Sequence, residues 1–271
     1  MTFRAFADAG IDIHGSHGGE VRTICPQCSL HRRKSMVRCL SVNVSAGAWL
    51  CHHCGWAGGL GSGRESVDAE AIERLRSAAE QERVARYAAN RPKVTALWKA
   101  GSPIAAGDPA SRYLAQRGII LDLFPADLRY IVRLPYFDVD GHHVDDYPAM
   151  LAAVRNSAGD IVAVHRTHLR PDGTKAPCDP VKKLSVACGP VSAAAIRLGP
   201  VRDSTLGVAE GIETALAASL GAKVPTWAAV SASGMRTFQW PQGLRRLIVF
   251  GDNDANETGQ RAAADLAESS F

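Results

Sequence analysis

Residues 205–216 read TLGVAEGIETAL. The first five form a short apolar run typical of a buried strand, and residues 213–220 favour a helix. Further along, the residue types predict strands at 226–230 and 247–250 and a helix at 259–268. Strands that alternate with helices in this way predict a parallel sheet covered by helices. The C-terminal part of the chain is therefore expected to be an α/β domain.

Acidic residues stand directly after two of these strands. Glu210 follows the first strand, and Asp252 and Asp254 follow the third after one glycine. The carboxyl ends of parallel strands line a common crevice, and residues two apart in an extended chain point the same way. Three carboxylates brought together repel one another unless a cation lies between them, and all-oxygen ligation suits Mg2+ or Mn2+. We expect these three residues to form a catalytic metal site for phosphoryl transfer.

Near the start of the chain, four cysteines form two C-x-x-C pairs separated by 22 residues: Cys25 with Cys28, and Cys51 with Cys54. Four thiolates satisfy tetrahedral Zn2+ and leave no open position, so this site is predicted to be structural. Between the pairs, apolar residues alternate over 40–44 and a turn follows. The pattern predicts a β-ribbon held by the metal.

The remaining cysteines and nearby histidines are not predicted to bind the metal. Because four cysteines are already present, we interpret His52 and His53 as surface groups near the tip of the ribbon. Cys39, Cys178 and Cys188 have no partner at ligand spacing and are expected to be free thiols.

The segment around the ribbon is basic. Residues 21–64 contain no aspartate or glutamate but several arginines and lysines, and such a segment attracts polyanions. Arg32, Arg33 and Lys34 are candidates to follow the phosphates of a single strand, and Trp49 is a candidate to stack on a base. The alternative is a solvated basic face, with the tryptophans packed inside the ribbon.

Composition narrows the class of protein. The 271 residues are 46% hydrophobic with a net charge of +4, enough apolar content for a real core. No run reaches the roughly 18 apolar residues that span a bilayer, and the start lacks a signal-peptide pattern. Seven cysteines without an export signal argue against a disulfide framework. We expect a cytoplasmic protein without a membrane partner.

The middle of the chain predicts a mixed α+β region. A helix is expected over 67–90, ended or kinked at Arg91-Pro92 before a short helix resumes, and a second over 110–117 is stopped by Gly118. A hairpin is expected from strands at 150–154 and 161–164.

These motifs together resemble the bacterial and phage DNA primase family, in particular the primase part of phage and plasmid primase-helicases. The resemblance rests on the two C-x-x-C pairs, on VAEGIETAL at 208–216 and on GDND at 251–254. Residues 112–118, the strand at 162–169 and the pair Lys182-Lys183 are similar to the basic subdomain that precedes the Toprim core in that family.

The resemblance implies roles for particular residues. Glu210 would be the Toprim glutamate and Asp252 and Asp254 its Asp-x-Asp pair, while Arg166, Lys182 and Lys183 would bind template or nucleotide. It also implies a structural Zn2+, a catalytic Mg2+ or Mn2+, a single-stranded DNA template and ribonucleoside triphosphates. No P-loop motif occurs, so a replicative helicase is expected on a separate chain or a missing domain.

Three departures from the family pattern stand out. Thr214 occupies the place, four residues after Glu210, where the family often has a second acid. Glu213 lies one position earlier, about 100° round a helix, which counts against it as a metal ligand. Gly259 follows the Asp-x-Asp pair at a longer spacing, and the chain ends at Phe271, so a later Toprim strand is expected to be missing.

The predicted fold class is an α/β multidomain protein with a small β zinc ribbon, an α+β basic subdomain and a Toprim-type parallel sheet. The predicted domains are a ribbon at 1–60, a linker and connecting helix at 61–95, the basic subdomain of an RNA polymerase core at 96–200 and the Toprim domain at 201–271. Primer synthesis is the predicted function. Two others stay open: a non-catalytic zinc and Toprim DNA-binding protein of the recombination-mediator kind, and a Toprim nuclease or topoisomerase.

Overall fold

The computed structural model describes residues 6–13, 19–29, 36–60, 69–251, 260 and 264–266. The chain divides into two compact units, residues 1–85 and 86–271, and each is described by itself. Within the described part, no helix has the length and apolar character needed to cross a membrane.

The first unit is built on a four-stranded antiparallel sheet in the order β1-β2-β3-β4. Its strands are β1 (Glu20–Thr23), β2 (Leu40–Asn43), β3 (Ala48–Cys51) and β4 (Ala57–Gly59). The predicted β-ribbon is confirmed: β2 pairs with β3 from Leu40↔Cys51 to Asn43↔Ala48, and Gly47 turns the chain with a φ of +64°. Alternating apolar residues bury one face against Phe6 and Ile11.

The long helix α1 (Ala69–Ala100) extends further than expected because it continues through Pro92. A proline inside a helix costs about 3 kcal/mol. Val94 and Trp98, which follow it, are buried against Leu134 and Leu151, and each large apolar side chain that is buried contributes roughly 1.5–3 kcal/mol. Burial of the last two turns therefore outweighs the proline. Of the two predicted alternatives, an end at Arg91-Pro92 is wrong, and a kink there stays a prediction.

The second unit contains a five-stranded antiparallel sheet in the order β5-β6-β7-β8-β9. The strands are β5 (Ser102–Pro103), β6 (Leu128–Phe137), β7 (His143–Arg155), β8 (Ile161–His168) and β9 (Lys182–Leu184). The predicted hairpin is confirmed and extends further than expected, since β7 and β8 pair from Ala149↔His168 to Arg155↔Ile161. The short helix α2 (Pro109–Ala115) is capped by the Asp108 side chain, which accepts a hydrogen bond from the Ser111 amide.

A three-stranded parallel sheet completes the second unit. It consists of β10 (Thr205–Ala209), β11 (Thr226–Ala228) and β12 (Arg246–Phe250) in the order β11-β10-β12, with α3 (Ile212–Ala222) and α4 (Ala232–Arg236) beside it. The predicted alternation of strands and helices is confirmed. The predicted helix at 259–268 lies mostly outside the described residues, of which Gln260 and residues 264–266 are helical.

Candidate metal centres

The four predicted zinc ligands lie together in the first unit. The Sγ atoms of Cys25, Cys28, Cys51 and Cys54 all lie within 4.8 Å of one another. Cys25 and Cys54 are 3.9 Å apart and Cys28 and Cys51 are 3.7 Å apart. Four sulfurs at about 2.3 Å from one tetrahedral ion would be about 3.8 Å apart. The geometry and the thiol donors therefore fit structural zinc.

Protonation of these thiols opposes metal binding. Burial raises the pKa of Cys25 and of Cys28 to about 11, and that of Cys51 to about 12. Zinc binds thiolates, so binding must release these protons, and zinc affinity falls as the solution becomes more acidic. The amides of His53 and Cys54 donate to the Cys51 sulfur at 3.4 and 3.5 Å and favour its thiolate.

Sequence spacing missed a fifth sulfur at this site. Cys39 was expected to be a free thiol, but its Sγ lies 3.8 Å from that of Cys28 and 3.7 Å from that of Cys51. The signal was in the strand pairing: β2 and β3 align Leu40 with Cys51, which brings the residue before Leu40 to the second C-x-x-C pair. The other two cysteines, Cys178 and Cys188, lie in the second unit.

Trp49 and His52 have contacts within the ribbon. Trp49 is only 7% exposed and packs against Phe6 and Trp56, with ring centroids 6.3 and 5.3 Å away. A base therefore finds no open face of its ring in this conformation. His52 Nε2 hydrogen bonds to Ser41 Oγ at 2.6 Å, and His53 is exposed. Arg32, Arg33 and Lys34, the predicted phosphate contacts, lie outside the described residues.

The structure places one member of the predicted acidic trio. Glu210 directly follows the central strand β10 and precedes Gly211, the N-cap of α3. The parallel register pairs Ala209 with Phe250, so the residues after these two strands leave the same edge of the sheet. Asp252 and Asp254 lie outside the described residues, two and four positions after Phe250.

Glu213, which the sequence analysis argued against as a metal ligand, forms hydrogen bonds with two other side chains. It accepts hydrogen bonds from the Tyr113 hydroxyl and, at 2.8 Å, from Lys182 Nζ. Burial raises the pKa of Glu213, but attraction to Lys182 and these hydrogen bonds outweigh it and lower the pKa to about 2. The carboxylate is therefore ionised at neutral pH and ties the first turn of α3 to α2 and β9.

The three predicted basic residues of the second unit lie on the neighbouring strands β8 and β9. Lys182 is paired with Glu213. Lys183 donates to the Phe137 carbonyl and lies 3.9 Å from the centre of the Tyr136 ring. Arg166 is opposite Lys183 in the strand register and donates to the Leu184 carbonyl at 3.0 Å. All three have contacts within the protein, and their binding of template or nucleotide stays a prediction.

Two histidines on β8, the half-buried His165 and the fully buried His168, were not singled out from the sequence. Burial lowers the pKa of His165 and of His168 to about 4, so both are neutral at physiological pH. His168 Nδ1 hydrogen bonds to the Val181 carbonyl at 3.1 Å. A histidine on a strand carries no spacing signal, so only the tertiary structure reveals this burial.

Two protein families match the second unit, one over its five-stranded sheet and one over its three-stranded sheet. Residues 205–270 match the family described as "Toprim domain", and residues 88–198 match the family described as "Domain of unknown function (DUF7146)". The first match confirms the Toprim core that the sequence predicted. None of the curated proteins matches the chain.

Several solved primase structures are similar to the chain at low sequence identity. The zinc-binding and RNA polymerase domains of the Aquifex aeolicus primase are 13% identical, over 97% of this chain and 72% of that chain, with a TM-score of 0.40. The primase fragment of the bacteriophage T7 primase-helicase protein is 14% identical, over 91% and 84%, with a TM-score of 0.35. The RNA polymerase domain of the Mycobacterium tuberculosis primase, in complex with double-stranded DNA, is 18% identical, over 68% and 67%, with a TM-score of 0.38.

Proposed function

We propose that this chain is a DNA primase, which makes short RNA primers on single-stranded DNA by metal-dependent nucleotidyl transfer. The observation that carries the proposal is the combination, in one chain, of a zinc-type cluster of four cysteines with a Toprim domain whose Glu210 follows the central strand. The sequence resemblance to primases supports the same assignment.

The acidic site would be assembled by the parallel sheet. Glu210 leaves β10, and Asp252 and Asp254 follow the paired strand β12, so the three carboxylates would hold one or two Mg2+ or Mn2+ ions at one edge. Such ions, when bound, stabilise the attacking and leaving oxygens of an in-line displacement. The carboxylates would position the 3′-hydroxyl of the growing chain and the phosphates of the incoming nucleotide.

Basic residues would hold the substrates around this site. Arg166 and Lys183, which face each other across β8 and β9, would bind the template or the triphosphate. In the ribbon, Arg32, Arg33 and Lys34 would follow the phosphates of the template strand. A replicative helicase, on a separate chain or on another part of a longer protein, would supply the single strand.

Primer synthesis is tested by incubating the protein with single-stranded DNA, the four ribonucleoside triphosphates and Mg2+ or Mn2+. We expect short RNA from the wild type, and from Glu210→Gln a loss greater than the roughly 10–100-fold seen when an outer-shell group of a metal site is removed. Asp122→Asn removes an exposed carboxylate from a loop of the same unit and serves as the matched control.

Two results would contradict the proposal. One is the absence of product on templates of varied sequence; the other is full synthesis by the Glu210→Gln variant. DNA binding that resists EDTA, without any synthesis, would instead identify a non-catalytic DNA-binding protein.

A further inference from the structure

Five cysteine sulfurs, rather than four, meet at the ribbon. Besides the two C-x-x-C pairs, the Sγ of Cys39 lies beside Cys28 and Cys51. The distances among these three sulfurs are 3.8 Å for Cys28–Cys39, 3.7 Å for Cys39–Cys51 and 3.7 Å for Cys28–Cys51. They form a nearly equilateral triangle.

The size of this triangle is that of a zinc–thiolate site. Sulfurs at about 2.3 Å from a common tetrahedral ion are about 3.8 Å apart, and such a triangle is one face of the tetrahedron. Cys28 and Cys51 therefore belong to two possible ligand sets, one completed by Cys25 and Cys54 and one that contains Cys39. A cation that exchanges Cys54 for Cys39 needs only a small shift, because it keeps its other ligands, Cys28 and Cys51 among them.

The competing cysteines differ in exposure and in how they are held. Cys39 is buried and precedes β2 directly, and its carbonyl accepts a hydrogen bond from the His52 amide at 2.8 Å. Cys54 is exposed and ends the turn at 52–54. Of the four C-x-x-C cysteines, Cys54 is the only exposed residue, while the Cys39 sulfur already lies beside Cys28 and Cys51.

We propose that Cys39 is an alternative zinc ligand that replaces Cys54, so that the ribbon keeps its metal when the exposed thiolate leaves. In the exchange the bond from zinc to the Cys54 sulfur breaks, a bond to the Cys39 sulfur forms, and the proton of the Cys39 thiol passes to Cys54. No oxidant or reductant is required. The exchange frees the turn at 52–54 from the metal while Cys28 and Cys51 keep the ribbon closed.

The inference rests on zinc binding at the ribbon and does not depend on primase activity. It is tested with four variants, Cys54→Ser, Cys39→Ser, the double variant and the control Cys178→Ser, whose cysteine lies in the second unit. Zinc content per chain is measured after dialysis, and zinc affinity by competition with a chromophoric chelator. We expect about one zinc per chain in the wild type, in both single ribbon variants and in the control.

The double variant decides the role of Cys39. In the Cys54→Ser background, removal of Cys39 should weaken zinc binding by more than the roughly 10–100-fold that an outer-shell group contributes. With Co2+ in place of zinc, the thiolate-to-metal absorption of Cys54→Ser should stay close to that of the wild type and drop in the double variant.

Several outcomes would overturn the inference. Equal zinc affinity in Cys54→Ser and the double variant would make Cys39 a bystander, and so would a Cys54→Ser protein that purifies without zinc. A wild type that binds no zinc would remove the metal site altogether, whereas loss of primer synthesis with normal zinc binding would affect only the proposed function.

Discussion

The ribbon and the Toprim sheet are stabilised by different means. In the ribbon, the buried cluster is small and includes Cys25, Cys39 and Cys51 among its members, so cysteines of the sulfur cluster are themselves part of the core. In the Toprim sheet, the central strand β10 is covered on both faces: Leu206 and Val208 pack in one apolar cluster and Ala209 in another. The difference predicts that the ribbon needs a cation for its stability, whereas the Toprim sheet would need one only for chemistry.

Removal of zinc should therefore have the largest effect and should be confined to the ribbon. Structural zinc contributes about 10–16 kcal/mol in zinc-finger peptides, more than a sheet of this size can replace. After chelation, or in a Cys51→Ser variant, amide hydrogen exchange should lose its protection across β1 to β4 and keep it across β6 to β8. The Cys178→Ser variant should resemble the wild type. A ribbon that stays protected without metal would show that its apolar cluster is sufficient.

The stability of the second unit should depend instead on a buried ion pair. Arg155 makes three hydrogen bonds to the Asp127 carboxylate at 2.7–2.9 Å, and the Asp127 side chain is only 8% exposed. Breaking a buried pair by removal of one partner costs about 3–5 kcal/mol. We expect Asp127→Ala to lower the free energy of unfolding by this amount, measured in urea from the hydrogen exchange of peptides that cover β7. Arg133→Ala is the control because Arg133, in its pair with Asp146, is 79% exposed, and such pairs contribute about 0–1 kcal/mol. Equal effects of the two substitutions would argue against a role for burial.

The ion pair of Glu213 should make the second unit sensitive to acid. The pKa of Glu213 is lowered to about 2 from an ordinary value of 4.5, so its contribution is complete above pH 4.5 and is lost as the pH falls towards 2. Because Lys182 is partly exposed, we expect Glu213→Gln to cost roughly 2 kcal/mol at pH 7. In urea unfolding at pH 7, 4 and 3, the difference between wild type and variant should shrink with each step. A difference that stays constant with pH would mean that charge on Glu213 is not its source.

How much the sequence could predict depends on whether a feature is local in the chain or is formed by tertiary packing. The cysteine spacing and the alternation at 40–44 predicted the ribbon, because ligands three positions apart and neighbours in a hairpin are local features. The strands of the Toprim sheet were also predictable, since their apolar runs are long enough to recognise. Tertiary packing decided the rest: the helix continues through Pro92 because later residues are buried, and Cys39 reaches the metal site through strand pairing. Likewise, the sequence cannot show that Glu213 contacts Tyr113, since the two are far apart along the chain.

The smallest loss of stability is expected from substitution of the ribbon histidines. These variants also test whether a histidine nitrogen binds the metal. His52 has a protein partner in Ser41, and His53 is exposed at the turn. His52→Gln should cost about 0.5–1.5 kcal/mol, the usual contribution of one hydrogen bond, and His53→Ala should cost less. Because neither side chain belongs to the sulfur cluster, zinc content should stay at the wild-type level in both variants while Cys51→Ser loses it. A fall in zinc content in the His52 or His53 variant would show that nitrogen shares the metal with sulfur, and the ribbon would then be stabilised by a mixed ligand set.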